Sequence, residues 1–452
     1  MCAMSVSVAF VLFAVAMLAC LVTGFSTLPG LAAGFVLVTL AGVGKGFSLR
    51  AVCGMAWQGV KRVFIVMRIL LLIGLITALW RSGGVIPFCA YYGMGLVTPP
   101  LFLFLVFACC SIVSYAIGTS FGVVGTMGVI FLAIARAGGV NELMAAGAVI
   151  SGAYFGDRCS PASSCAHLVA AVTETGLYGN VRAMLRSGIA PLLLAAAGFL
   201  ALSVANPLRV EDSVMLPLLE QSFAMPFYVA APLVLMLVLP LFKVKIVLAM
   251  LLSIGAAFLL TVFVQGQSVW AALRIALMGF DTESEALSRI LSGGGVLSMA
   301  TVLATVTLSA SYSGIFRGTG MLDGVGDKIA ALARKTGAYP AMLLTGTAAA
   351  MVFCNQTIAT IMAQQLMKPV YELPGKTRED MALDISDSLV MTAGLVPWSI
   401  AALVPLTMLG VGPEALPYCL LLSFTPLCRL LGAAISAIKA RRANKKPLTP
   451  SA

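Results

Sequence analysis

The chain has 452 residues, of which 60% are hydrophobic and 10% charged, with a net charge of +11 and a mean hydropathy of +1.04. Soluble domains carry about 25% charged residues, so a water-soluble enzyme or nucleic-acid-binding module is excluded. The basic residues fall in short loops and in the tail Lys439, Arg441, Arg442, Lys445 and Lys446 rather than along one phosphate-binding surface, which is the bias that membrane insertion produces.

Apolar runs long enough to span a bilayer cover roughly 5–23, 30–43, 63–80, 98–116, 127–155, 187–205, 226–240, 246–264, 290–316, 338–366, 380–410 and 415–435. Their hydrophobicity is continuous rather than alternating, so helices are expected and a β-barrel is not. The fold class is an all-α polytopic membrane protein with about 10–12 transmembrane helices. No Lys or Arg precedes the first apolar run, so it reads as a transmembrane helix rather than a signal peptide. The eleven cysteines show no metal or disulfide spacing and read as reduced packing residues. No cofactor is expected.

Loop charges orient the spans. Lys45, Arg50, Lys61 and Arg62 place the 44–62 connection in the cytoplasm, as do Lys243 with Lys245, then Lys328, Arg334 and Lys335, and the tail. Arg209 against Glu211, Asp212 and Glu220 leaves 206–220 outside, and Asp281, Glu283 and Glu285 do the same for 266–289. Both termini come out cytoplasmic, in a multi-pass protein of the cell membrane.

A shift of 236 residues aligns Ala78–Gly84 with Gly314–Gly320, pairing Arg81 with Arg317 and Gly84 with Gly320. The same shift pairs Gly139 with Gly375, Pro161 with Pro397 and Ser163 with Ser399, and lays Gly118–Ser120 over Cys354–Gln356. The basic 44–62 loop corresponds to the acidic 266–289 loop, so equivalent loops face opposite sides and the halves are inverted repeats. The expected organisation is a first repeat over 1–210, a second over 221–438 and a tail over 439–452. Such carriers bind their substrate where the repeats meet, often at broken helices.

Four polar breaks interrupt the apolar runs: Gly118–Thr126, Tyr154–Ser164, Cys354–Thr360 and Thr392–Ser399. Each frees backbone groups that protein, water or an ion must satisfy. Thr119, Ser120, Ser160, Ser163, Asn355, Thr357, Thr360 and Ser399 supply oxygens of the kind that hard cations take. Taken singly, each reads as well as a hydrogen bond to its own helix.

Of seventeen acids, Asp157, Asp384 and Asp387 combine membrane depth with a polar break. Arg158 either pairs with its neighbour Asp157 or points elsewhere, because adjacent helix positions do not face one another. Asp380, Asp384 and Asp387 form one helix stripe, with Thr377 and Asp380 as its amino-terminal cap. A buried carboxylate takes a proton or a cation in competition, which couples opposite fluxes of H⁺ and Na⁺. Asp387 ranks first for that role and Asp157 second, and both are the candidate Na⁺ ligands. His167, the sole histidine, reads as a pH sensor or as a tolerated residue.

Gly156-Asp157-Arg158-Cys159-Ser160-Pro161-Ala162-Ser163 resembles the Gly-Asp-x-x-Ser-Pro-x-Ser signature of NhaC-type sodium/proton antiporters. Asp387-Ser388, followed by Gly394-Leu395-Val396-Pro397-Trp398-Ser399, is similar to that family's Asp-Ser…Leu-Ile-Pro-Trp-Asn. The resemblance covers essentially the whole chain, adds Ser388 to the candidate site, and implies inverted-repeat carriers whose relatives include organic-anion exchangers. The chain departs where antiporters continue Ser-Asp-Thr-Thr-Asn: Ser163-Ser164-Cys165-Ala166-His167 loses an acid at Ser164, and Ser399 replaces an asparagine.

The expected function is therefore secondary active transport, foremost Na⁺/H⁺ antiport by alternating access. The alternative is a Na⁺- or H⁺-coupled carrier of a small organic solute, a carboxylate or an amino acid. The expected partners are the lipid bilayer and the transported ion or solute, with a homo-oligomer left open and no nucleic acid. With one histidine and no nucleophile–base pair, an enzyme is not expected.

Overall fold

The computed structural model describes residues 27–443 except 97, 209–214, 243, 283 and 321–324, together with scattered positions between 8 and 23. The first apolar run lies largely outside the described residues. So do the loop charges Arg209, Glu211, Asp212, Lys243 and Glu283 and the basic side chains of the tail.

In the first half α1 is Thr27–Gly44, α2 Leu49–Arg62, α3 Phe64–Ser82, α4 Val85–Leu96 and α5 Phe102–Ile117. There follow α6 Ser120–Ala137, α7 Glu142–Cys159, α8 Ser164–Thr173 and α9 Leu177–Ala205. The second half holds α10 Met215–Ser222, α11 Ala231–Leu241, α12 Ile246–Phe263, α13 Val269–Met278, α14 Glu285–Leu291 and α15 Ala300–Thr319. It continues with α16 Val325–Thr336, α17 Ala338–Phe353, α18 Gln356–Tyr371, α19 Arg378–Asp387, α20 Leu389–Thr392, α21 Ile400–Leu409 and α22 Leu420–Ala443. The described residues contain no strand, only the single antiparallel bridge Phe280–Gly293.

Among the described residues six helices are long and apolar enough to cross a membrane, and up to eight spans result if two bent pairs each count as one. The lower figure beside the 10–12 expected arises because α8, α13 and α17 are shorter than a full span and the first run is mostly undescribed. Burial separates the roles of the long helices. α6 is 78% enclosed and central, whereas α9 and α12, at 28% and 33%, turn Leu193, Leu200, Leu252 and Phe263 outward as a lipid-facing surface.

Several backbone features recur at the 236-residue spacing. α5 and α17 begin 236 residues apart at 102 and 338 and have the same length, as do α8 and α21 at 164 and 400. Left-handed residues pair at the same spacing: Gly84 with Gly320, Gly118 with Cys354, Gly139 with Gly375, and Glu174 with Gly410. After each of Gly118 and Cys354 comes an extended helix cap, Thr119 (φ −144°, ψ 124°) or Asn355 (φ −139°, ψ 116°). The halves are not identical. α7 runs unbroken, while the equivalent stretch breaks at Ser388 (φ −113°, ψ −86°) into α19 and α20.

Contacts sort the turns onto two faces. Lys45 donates to the carbonyls of Thr319 and Gly320, placing the 44–62 connection beside the end of α15. On the other face, Gln265 reaches Gly83 and Ala224, and Leu208 donates to Pro99 at 3.2 Å.

Candidate functional site

Local chemistry makes the breaks. α5 ends because Gly118 takes a left-handed conformation (φ 76°) that lets its amide close on the Ser114 carbonyl, the usual device for stopping a helix. Thr119 and Ser120 then open α6, so α5 and α6 form a hairpin. Its outer ends lie on the Pro99–Leu208 face, since Leu103 bonds Ser203 and Arg136 pairs with Glu142 at 2.7 Å. α7 starts on that face, its first amides held by Asn141, with Glu142 favoured by the helix dipole. It ends where Ser160 turns extended before Pro161, as the residue preceding proline tends to do.

Small residues bring the hairpin against α7. A side chain on Gly152 would meet the Phe107 carbonyl at 2.7 Å, and one on Gly156 would collide with the backbone of Ser114. Ser114 also donates to the Ala153 carbonyl. This small-residue spacing permits close helix approach in lipid.

The four breaks converge. The Gly118 tip packs on Ala162 and Ser163. Ile400 donates to the Cys354 carbonyl at 2.8 Å, joining the second-half breaks. Tyr154 bonds Ala401 at 2.7 Å, and Gln356 bonds Val390 at 3.1 Å and reaches Cys165 at 3.7 Å. The amino termini of α6, α8, α18 and α21 thus meet in the interior, and their dipoles favour negative charge there.

Two carboxylate centres occupy this junction. Asp157, 7% exposed, accepts from Ser163 Oγ at 3.4 Å and takes hydrogen bonds from the Ser120 side chain and backbone. No cationic side chain pairs with it among the described residues. Arg158 turns away: its guanidinium forms an ion pair with Asp387, and it also donates to Ser187 Oγ at 2.7 Å and to the Met184 carbonyl at 3.0 Å. Both members of the pair are almost wholly buried.

Asp387 is further surrounded. Ser187 Oγ lies 3.3 Å from it, and Arg429 Nε approaches its other oxygen at 3.9 Å. One turn earlier, Asp384 accepts from Arg429 at 2.8 Å and 3.1 Å and from Tyr371 at 2.7 Å. Tyr339 ties the Asp387 carbonyl to that of Pro426. Asp380 stays at the helix start in a reciprocal capping box with Thr377, as expected.

The remaining candidate residues divide. Ser163, Thr119, Asn355 and Ser399 cap α8, α6, α18 and α21. Ser160 donates to the Tyr115 carbonyl at 2.6 Å, Thr360 to Gln356 and Ser388 to Asp384. Thr357 is exposed on α18 and does not join the junction. His167 is exposed, with its ring against the Pro161 carbonyl.

Arg429, Ser187, Tyr339 and Tyr371 were not singled out in the sequence. A charge inside the last apolar run was the one available signal, and it pointed to Arg429.

A sequence model of the Na⁺/H⁺ antiporter family matches residues 1–173 and 152–431. The chain is 29% identical over 369 residues to a Haemophilus influenzae protein named uncharacterized Na(+)/H(+) antiporter, covering 78% of each. It is 28% identical to the malate-2H(+)/Na(+)-lactate antiporter of Bacillus subtilis, covering 86% of this chain and 85% of that one. It is 25% identical to the Na(+)/H(+) antiporter NhaC of Alkalihalophilus pseudofirmus, covering 82% and 81%. With buried acids at broken helices and a family match along nearly its whole length, this chain belongs to the Na⁺/H⁺ antiporter family and is a multi-pass membrane transporter.

Proposed function

We propose that the chain exchanges Na⁺ for H⁺ by alternating access, with Asp157 carrying the two ions in turn. The observation behind this is the setting of that carboxylate: buried, without a cationic partner among the described residues, and held by two serines where four breaks meet. A carboxylate away from water is tolerated when something neutralises it. A proton does so as the acid. A sodium ion does so as a salt, with Ser120, Ser163 and freed carbonyls as further oxygen ligands. Both occupants need the same oxygens, so each expels the other, and that competition couples the fluxes. Asp387 has its charge already compensated by Arg158, which moves it behind Asp157 as the exchanging group.

Inverted repeats supply the two states. α9 and α22, equivalent in the repeat, run antiparallel: Gly198 packs on Leu420, while Ser187 and Arg429 both reach Asp387. Equivalent turns also lie on opposite faces, Gly84 beside Gln265 and Gly320 beside Lys45. With basic loops inside, the Lys45 face is cytoplasmic and the Gln265 face external.

The test is flux in proteoliposomes holding an imposed pH gradient. Added Na⁺ should move protons in the wild type, and Asp157→Asn should abolish that response while still inserting. Because protons compete for the site, the apparent KM for Na⁺ should fall about tenfold per pH unit on the acid side and level off once the carboxylate is ionised. Wild-type exchange by Asp157→Asn would refute the assignment.

A further inference from the structure

We infer that the large cavity on the Gln265 face binds a small organic carboxylate through Arg81. This site is separate from Asp157 and goes beyond ion exchange. The cavity encloses about 1310 Å³ and is lined by Arg81, Arg136, Asn141, Asn206, Ser298 and Thr407 among others. Pockets for organic ligands run about 300–1,000 Å³, so the space suits a solute of several carbons and far exceeds what a bare Na⁺ occupies.

Arg81 lies at the carboxyl end of α3 in this cavity, 7% exposed. Its Nη1 donates to the Thr77 carbonyl at 2.8 Å, and its Nε has no partner among the described residues. Arg136, Arg158 and Arg429 each have an acid, namely Glu142, Asp387 and Asp384. Among the described residues no acid pairs with Arg81. A buried, uncompensated guanidinium is costly, and a buried donor left unsatisfied in a native protein points to a missing acceptor. The repeat does not impose this burial, because the equivalent Arg317 on α15 is exposed.

The chemistry narrows the ligand. With Nη1 occupied and Nε covered in this conformation, Nη2 is the donor that first meets a carboxylate in the cavity, and a small turn of the guanidinium brings Nε beside it to complete the two parallel hydrogen bonds. Arg136 is near enough for its charge to act on Arg81, and Glu142 on the same wall already answers Arg136. Glu285 stands exposed at the rim. Asn141, Asn206, Ser298 and Thr407 offer polar groups for a second carboxylate or a hydroxyl on the solute.

The experiment is a thermal-shift titration of the purified full-length protein with sodium-free acetate, L-lactate, L-malate and succinate, against chloride and neutral lactamide. At least one carboxylate should stabilise saturably at a midpoint about tenfold below that of chloride, and lactamide should do nothing. Arg81→Gln and Arg81→Lys should each raise the midpoint about tenfold or more, since lysine keeps the charge but loses the fork. Stabilisation by Na⁺ should survive in both variants, and the carboxylate shift should survive in Asp157→Asn, so the two sites fail separately. Independently of any Arg81 variant, the effective carboxylate should protect Ser298→Cys from a thiol reagent. The proposal is overturned if chloride matches the carboxylates, if no carboxylate shifts or protects the protein, or if folded Arg81 variants respond like the wild type.

Discussion

Removing one charge of the Arg158–Asp387 pair strands the other in a place that water does not reach, a loss of about 3–5 kcal/mol for a buried pair. Arg158→Gln and Asp387→Asn alone should therefore lower folded yield and melting temperature sharply. Combining them should recover a large part of that loss, because neither charge is then left unpaired. Melting temperatures of the two singles and the double in detergent measure this. Additive loss in the double would show that the two side chains do not act as a pair. The acids themselves were legible because an apolar chain contains few of them. Their partners were not. Arg158 sits next to Asp157 in sequence, yet successive helix positions diverge, and its guanidinium crosses to an acid in the other half. Ser187 and Arg429 reach the same acid from α9 and α22, and nothing in helical periodicity announces a meeting between elements so far apart along the chain.

At the scale of an element, the breaks are what the sequence made plain, since glycine, proline and hydroxyl residues clustered inside an apolar run weaken a continuous helix there. Their hydroxyls were harder to read. Most close helix ends, as Ser163, Asn355 and Ser399 do, because a freed amide is nearer than any ion and capping is worth about 1 kcal/mol. Thr357 instead falls on the outer side of α18. The tip of the α5–α6 hairpin gives a direct test. Gly118 has φ 76°, and a Cβ there would lie 2.5 Å from Ala162 C and 2.6 Å from Ser163 N, both backbone atoms that cannot give way easily. Gly118→Ala should lower the melting temperature by several degrees and slow exchange by displacing Ser163 from Asp157. Gly255→Ala, in open space on α12, should be neutral or stabilise by up to about 1 kcal/mol. Equal effects of the two substitutions would mean that the tip does not fix the junction.

Across the whole molecule, residues 236 positions apart bound two unequal vestibules. Met408, Gly410, Arg136 and Glu142 bound the cavity of about 1310 Å³; Val172, Glu174, Glu372 and Arg378, each 236 residues away in the repeat, bound a space of about 40 Å³. The narrow one is spanned by an ion pair between Glu174 and Arg378, both largely exposed. On the proposed reading this conformation is open to the outside and shut toward the cytoplasm, and the opposite state exchanges the two volumes. An impermeant thiol reagent should then label Ser292→Cys from the external side, beyond the background of native cysteines, while Val172→Cys stays protected from the cytoplasmic side. An exposed pair holds only about 0–1 kcal/mol, so Glu174→Gln should raise Val172→Cys labelling by no more than about fivefold. A lock worth more than that would trap the carrier in one state, whereas a bias this small lets an ion arriving at Asp157 decide which vestibule opens. Labelling of Val172→Cys as fast as Ser292→Cys in the parent background would mean that the cytoplasmic vestibule is not the closed one in the resting carrier.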